Sequence, residues 1–108
     1  MIHLTADTNI LLATKPADFR CGIDGFAALC RHQLKQQPRS GTLFVFTNRR
    51  KTMIRALCYD GSGFWLMSKR LTQGRFQEWP RHHREGVTPL AAKQLKALLT
   101  GQSGWQKL

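Results

Sequence analysis

Four turn-forming residues between two β-prone runs constrain this chain more than any other feature. From Met53 to Tyr59 the side chains alternate, with Ile54, Ala56 and Cys58 on one face and Met53, Arg55, Leu57 and Tyr59 on the other. Asp60-Gly61-Ser62-Gly63 then breaks the run, and Phe64-Trp65-Leu66-Met67 begins another. A gap of this length and chemistry reverses a strand into an antiparallel hairpin and cannot hold the crossover that a parallel pair needs. Upstream, Leu43-Phe44-Val45-Phe46 is β-prone and too short for a helix. Downstream, Thr72-Gln73-Gly74 is a further turn before Arg75-Phe76-Gln77-Glu78-Trp79, which Pro80 stops. The spacing predicts an antiparallel meander over about residues 42–80.

Helical patterns flank this sheet. Ile23, Phe26, Ala27, Cys30 and Leu34 recur at three-and-four spacing and predict an amphipathic helix that ends before Pro38, with Arg31, Lys35 and Gln36 facing water. Near the end, Thr88 reads as an N-cap and Pro89 as the first helical residue. Leu90, Ala91, Leu95, Leu98 and Leu99 form the buried side, and Gly101 stands in the C-cap position. The short apolar run Asn9–Ala13 suits a first strand. The expectation is one α+β domain spanning residues 1–108. It comprises an antiparallel meander of about four to five strands with two helices packed on one face, the second over about residues 88–100.

A composition of 42% hydrophobic and 9% aromatic residues suits a globular chain and excludes a disordered tail. The charge is far from balanced. Seventeen Lys and Arg face six Asp and Glu, a formal +11 at pH 7 with a pI near 10.7. Self-repulsion on that scale opposes compaction, so an anionic partner is expected (nucleic acid, a membrane surface or an acidic protein), the alternative being a basic surface that serves only solubility. The N-terminal residues have neither the basic start nor the apolar core of a secretory signal, and no stretch reaches the ~20 apolar residues of a membrane span. Cys21, Cys30 and Cys58 are scattered and odd in number, which reads as reduced thiols in a cytoplasmic protein.

Catalysis finds little material. A two-metal nuclease centre needs several converging carboxylates, and the supply is Asp7, Asp18, Asp24, Asp60, Glu78 and Glu85. Asp60 belongs to its turn, Asp18 and Asp24 flank a helix start, and Glu78 and Glu85 lie among arginines. His82 and His83 are adjacent and would point to opposite faces of a strand, while His3 and His32 have no ligand-spaced neighbour. Cys58 has no partner motif, and no phosphate-cradling glycine loop of the Walker type is present. No enzymatic activity, metal or cofactor is expected.

The charge concentrates in the meander. From Arg49 to Arg84 nine Lys and Arg stand against Asp60 and Glu78, a net +7. Asn48-Arg49-Arg50-Lys51 forms a hairpin tip; Arg55 follows on the next strand; Lys69-Arg70 ends the strand after it; and Arg75 starts its neighbour. Alternate turns of a meander fall at the same edge. Arg49, Arg50, Lys51, Arg55, Lys69, Arg70 and Arg75 are therefore the candidate contacts to phosphate, for which Arg offers a planar fork of donors and Lys a point charge. Phe64, Trp65, Phe76 and Trp79 interleave with them. One or two could stack on bases, but a small domain needs such residues in its core.

These residues carry a family resemblance. The run LFVFTNRRKTMIRALCYDGSGFWLMSKRLTQGRFQEWP resembles the hallmark of the accessory protein of IS66-type bacterial insertion sequences, the TnpB-type second-reading-frame product. Upstream, ILLATKPADFRCGIDGFAALC is similar to the family's opening segment, with its Pro-x-Asp-x-Arg and Asp-Gly elements at Pro16, Asp18, Arg20, Asp24 and Gly25, and VTPLAAKQLKALLTG resembles its last helix. Departures are mild: Cys21 stands where a basic or small residue is common, and Phe26 where an aliphatic is usual. The resemblance implies a non-catalytic accessory role in transposition of a mobile element, beside a separate transposase and another accessory protein. It brings no catalytic residue, and the RNA-guided TnpB nucleases share only the name. Two readings follow: a basic DNA-binding factor that assists the transposase, or an adaptor that recruits the transposase without touching DNA. Neither needs a membrane, and the oligomeric state stays open.

Overall fold

The structure is a computed structural model, and it describes residues 8–76, 79 and 86–100. Five strands and two helices follow in the order β1 (Ile10–Ala13), α1 (Ile23–His32), β2 (Leu43–Thr47), β3 (Met53–Tyr59), β4 (Phe64–Arg70), β5 (Val87–Leu90) and α2 (Ala92–Leu99). They build one mixed sheet in the order β4-β3-β2-β1-β5. The expected α+β class and the β2–β3–β4 meander are present, with Phe44 opposite Leu57 and Leu57 opposite Leu66. β1 enters beside β2 as a parallel strand, Ile10 against Leu43, and α1 lies on the crossover between them.

The helices are not on one face, as the sequence suggested, but on opposite faces. In β2, Leu43 and Val45 join one core cluster with Leu95 and Leu98 of α2, whereas Phe44 and Phe46 join another with Phe26, Ala27 and Cys30 of α1. The reason lies in the composition of β2. Every residue of LFVFT is buried, and a central strand that is apolar on both sides needs cover on both. Phe26 meets Phe46 with ring centroids 4.9 Å apart, and burial of large rings of this kind stabilises by roughly 2 kcal/mol each.

Two further expectations change. Thr88 and Pro89 belong to β5, antiparallel to β1 with Pro89 opposite Leu11, and the helix starts only at Ala92. Proline is tolerated there because β5 is an edge strand. Gln94 Oε1 accepts the Ala91 N–H at 2.8 Å, supplying the cap that Thr88 was expected to give. The anticipated strand at 75–79 is also absent at its described residues. Phe76 and Trp79 are buried with the α2-side core instead, and the Trp79 indole N–H donates to the Ala13 carbonyl at 2.9 Å. Gln77, Glu78 and the expected C-cap Gly101 lie outside the described residues, as do Asp7, His3, Pro80 to Glu85 and the last residues.

Candidate nucleic-acid interface

At one end of the sheet β1 and β2 finish, β3 begins and β4 finishes, so the segments 14–22, 48–52 and 71–76 meet there. The tip between β2 and β3 is built by Asn48. Its Oδ1 accepts from the Thr52 N–H at 2.9 Å and the Met53 N–H at 3.1 Å, and its Nδ2 donates to Thr52 Oγ1 at 2.9 Å. Buried Thr47 donates to the Met53 carbonyl at 3.1 Å, which closes the tip from below. Lys51 takes a left-handed backbone, φ +60°, a conformation costing roughly 1 kcal/mol in a residue with a Cβ. It is held by its own N–H on the Asn48 carbonyl (3.1 Å) and its carbonyl under the Phe76 N–H (2.7 Å). With the backbone satisfied by Asn48, Arg49 and Arg50 stand exposed, and no described side chain hydrogen-bonds to them.

Other cations arrive at this end by register. Arg70 lies opposite Met53. The Leu71 N–H donates to the Thr52 carbonyl at 3.0 Å, and the chain returns at Phe76, so exposed Arg75 is carried back beside the tip. The loop after β1 joins them through the Ala17 N–H on the Thr47 carbonyl at 2.8 Å. It adds Lys15 and Arg20, neither of which was a candidate. The sequence quotes Arg20 only within a Pro-x-Asp-x-Arg element, and its place depends on β1 running parallel to β2.

Two expected contacts are engaged elsewhere. Arg55 is half-buried: Nη1 donates to the Phe19 carbonyl at 2.6 Å, Nε to Ser68 Oγ at 2.9 Å, and the guanidinium sits 5.0 Å from the centre of the Phe19 ring. It ties the 14–22 loop to β3 and β4 and has little reach into solvent. Lys69 lies opposite Ile54, on the α2 side, and its ammonium donates to the Leu99 carbonyl at the end of α2, where a cation suits the helix dipole. The end of the sheet thus unites Arg49, Arg50, Lys51, Arg70 and Arg75 with Lys15 and Arg20, and sets Arg55 and Lys69 to holding the fold.

Among the described residues, negative charge near this end comes from Asp18 in the 14–22 loop and from Asp24 in the first turn of α1 that follows it. Asp18 is paired with Arg20 at 2.8 Å, the one ion pair among the described residues. The Arg20 side chain and backbone N–H hold its carboxyl at about 2, with a smaller contribution from the charge of Arg49. Asp60 lies at the opposite end of the sheet. The aromatics do not join the cations: Phe76 and Trp79 are core, Phe64 packs on Tyr59, and Trp65 pairs with Cys58 near the Asp60 turn. Arg81, Arg84, His82 and His83 lie outside the described residues. Among the described residues no group of His, Cys, Asp and Glu could hold a metal, and no helix is long and apolar enough to cross a membrane. Burial pushes the Cys30 thiol up to about 12 and raises Cys58 as well, which suppresses the thiolate that a nucleophile requires.

Residues 8–108 match the family described as IS66 Orf2 like protein. The chain is also similar to two Sinorhizobium fredii proteins that bear only the names uncharacterized protein y4hO and uncharacterized protein y4jC. It is 36% identical to y4hO over 94% of this chain and 86% of that protein. It is 34% identical to y4jC over 94% of this chain and 85% of that protein. No solved structure gives a significant match.

Proposed function

The chain belongs to the IS66 Orf2-like family, whose members have an accessory role in transposition, and from that premise we propose that it is a DNA-binding factor that assists a separate transposase. The observation that carries this reading is the end of the sheet where Arg49, Arg50, Lys51, Arg70 and Arg75 meet, while the one ion pair among the described residues there is Asp18 with Arg20. Cations without partners at neutral pH repel one another, and a phosphate backbone removes that cost by neutralising them and releasing condensed counterions. The rigid Asn48 scaffold means that little backbone order is lost when they do so. The shortage of converging carboxylates supports a non-catalytic role, with cleavage and joining left to the transposase. That work would take place with the element's DNA in the cytoplasm, alongside the other accessory protein.

The test is a titration of the element's terminal-repeat DNA at two salt concentrations with wild type and a chain carrying Arg49→Ala, Arg50→Ala and Lys51→Ala. The expected result is weaker binding and a logarithmic salt slope shallower by about 2–3. Equal affinity and equal slope would contradict the reading.

A further inference from the structure

The sheet has two edges of different character. β5 is short and contains Pro89, which lacks an N–H, a common way of closing an edge. β4 runs seven residues without proline, and among the described residues no strand pairs with its outer side. Its ladder phase follows from the bonds at its two ends. The Leu71 N–H donates to Thr52, and the Asp60 N–H donates to Gly63. In an antiparallel pair bonded and non-bonded positions alternate, so Trp65, Met67 and Lys69 exchange bonds with β3. The N–H and C=O groups of Phe64, Leu66, Ser68 and Arg70 therefore face outward.

The same strand exposes its largest apolar side chains together. Trp65 is 43% and Met67 39% exposed, both on the α2 side of the sheet, and neither joins the core beneath α2. The Trp65 ring is oriented by its indole N–H, which donates to Asp60 Oδ2 at 2.7 Å. Lys69 continues that face, Arg70 lies on the other, and β4 contains no acid. Cations on an edge strand oppose pairing with further copies of a basic chain, and a net charge of +11 adds to that repulsion. That repulsion becomes attraction for an acidic strand.

We propose that the outer edge of β4 accepts an extended acidic segment of a partner protein as an added strand. Its main chain would bond to Leu66 and Ser68, its apolar side chains would cover Trp65 and Met67, and its carboxylates would lie near Lys69 and Arg70. The proposal does not rest on DNA binding: Arg70 is common to both surfaces, but the main-chain groups of Leu66 and Ser68 and the exposed Trp65 and Met67 lie along β4 away from the basic tip.

The probe is a short fluorescent peptide that alternates glutamate with valine, and its control has every valine replaced by proline at equal charge. The whole chain is expected to bind the first at least about tenfold more tightly, because proline removes strand donors. Ser68→Pro should weaken that binding about tenfold relative to Ser68→Ala, which separates the outward N–H from the hydroxyl that Arg55 uses. Amide exchange in the unmodified chain guards against a misfolded variant: the Leu66 and Ser68 amides should exchange readily in dilute free protein and become protected by the first peptide only. Equal affinity for the two peptides would overturn the proposal by reducing it to charge. Protection of those amides in the free chain would overturn it by showing the edge already filled.

Discussion

β3 ends in a turn on each side, and the two turns are opposites. At Asp60–Gly63 one carboxylate takes everything. Its oxygens accept from the Ser62 N–H and hydroxyl (both 3.0 Å), the Gly63 N–H (3.1 Å) and the Trp65 indole (2.7 Å), and Gly61 takes the left-handed backbone, φ +100°. At Asn48–Thr52 a neutral amide does the same scaffolding, and a lysine holds the left-handed position that a glycine would fill more cheaply. One turn is chemically closed. The other has its backbone closed and its charge left open, with Arg49 and Arg50 facing solvent. Asn48 and the left-handed backbone at Lys51 close this turn, so the positive side-chain charges at 49–51 are not what forms it, in keeping with the proposed contact to phosphate.

The largest effect separating the turns should come from charge. Arg49→Glu with Arg50→Glu is expected to weaken terminal-repeat DNA binding on the order of a hundredfold at low salt and leave the thermal melt nearly unchanged. Ser62→Glu at the other turn should cost DNA affinity little. Comparable losses at both turns would erase the distinction. The next effect concerns scaffolding. Asn48→Ala removes three hydrogen bonds and should lower stability by about 2 kcal/mol in urea melts while also weakening DNA binding, since the cations lose their support. Asp60→Ala should lower the melting temperature and leave DNA affinity alone.

Lys51→Gly gives a smaller and more selective change. It relieves the φ +60° strain but loosens the unfolded chain, so stability should shift by less than about 1 kcal/mol while DNA affinity drops several-fold. Smallest is the response to acid. Asp18 and Asp60 both ionise more readily in the folded chain than at the ordinary value of 3.8, because each accepts several hydrogen bonds. The unfolded chain then binds protons first, so the stability from these carboxylates is complete above about 3.8. It fades as the pH falls through about 2 for Asp18 and lower still for Asp60. Urea midpoints across that range check the sign, and a midpoint that rises on acidification would refute it.

The parts of this molecule that could be read from sequence are those settled locally. The β3–β4 hairpin follows from alternation and Asp60-Gly61-Ser62-Gly63, and the tip at 48–51 from its position between two β-prone runs. What escaped depends on distant partners. Val87–Leu90 resembles a helix start until β1 is placed beside it, and then Thr88 lies opposite Leu12 and Pro89 opposite Leu11. Phe76 and Trp79 pattern like strand residues, yet the α2-side core takes them as fillers. Arg55 looks like its neighbouring cations in sequence, and only the approach of the Phe19 carbonyl removes it from the surface set. The unbroken apolar run LFVF reads locally only as β-prone, although a strand apolar on both faces is the signal that places the helices on opposite sides.

The most direct measurement is a footprint of terminal-repeat DNA on the whole chain, read as side-chain and amide NMR shifts at the two turns of β3. The account predicts that signals from Arg49, Arg50 and Lys51 move on titration, along with those of Arg70 and Arg75, and that Asp60 to Gly63 stay where they are. Shifts centred on the Asp60 turn, or none at either turn, would contradict it.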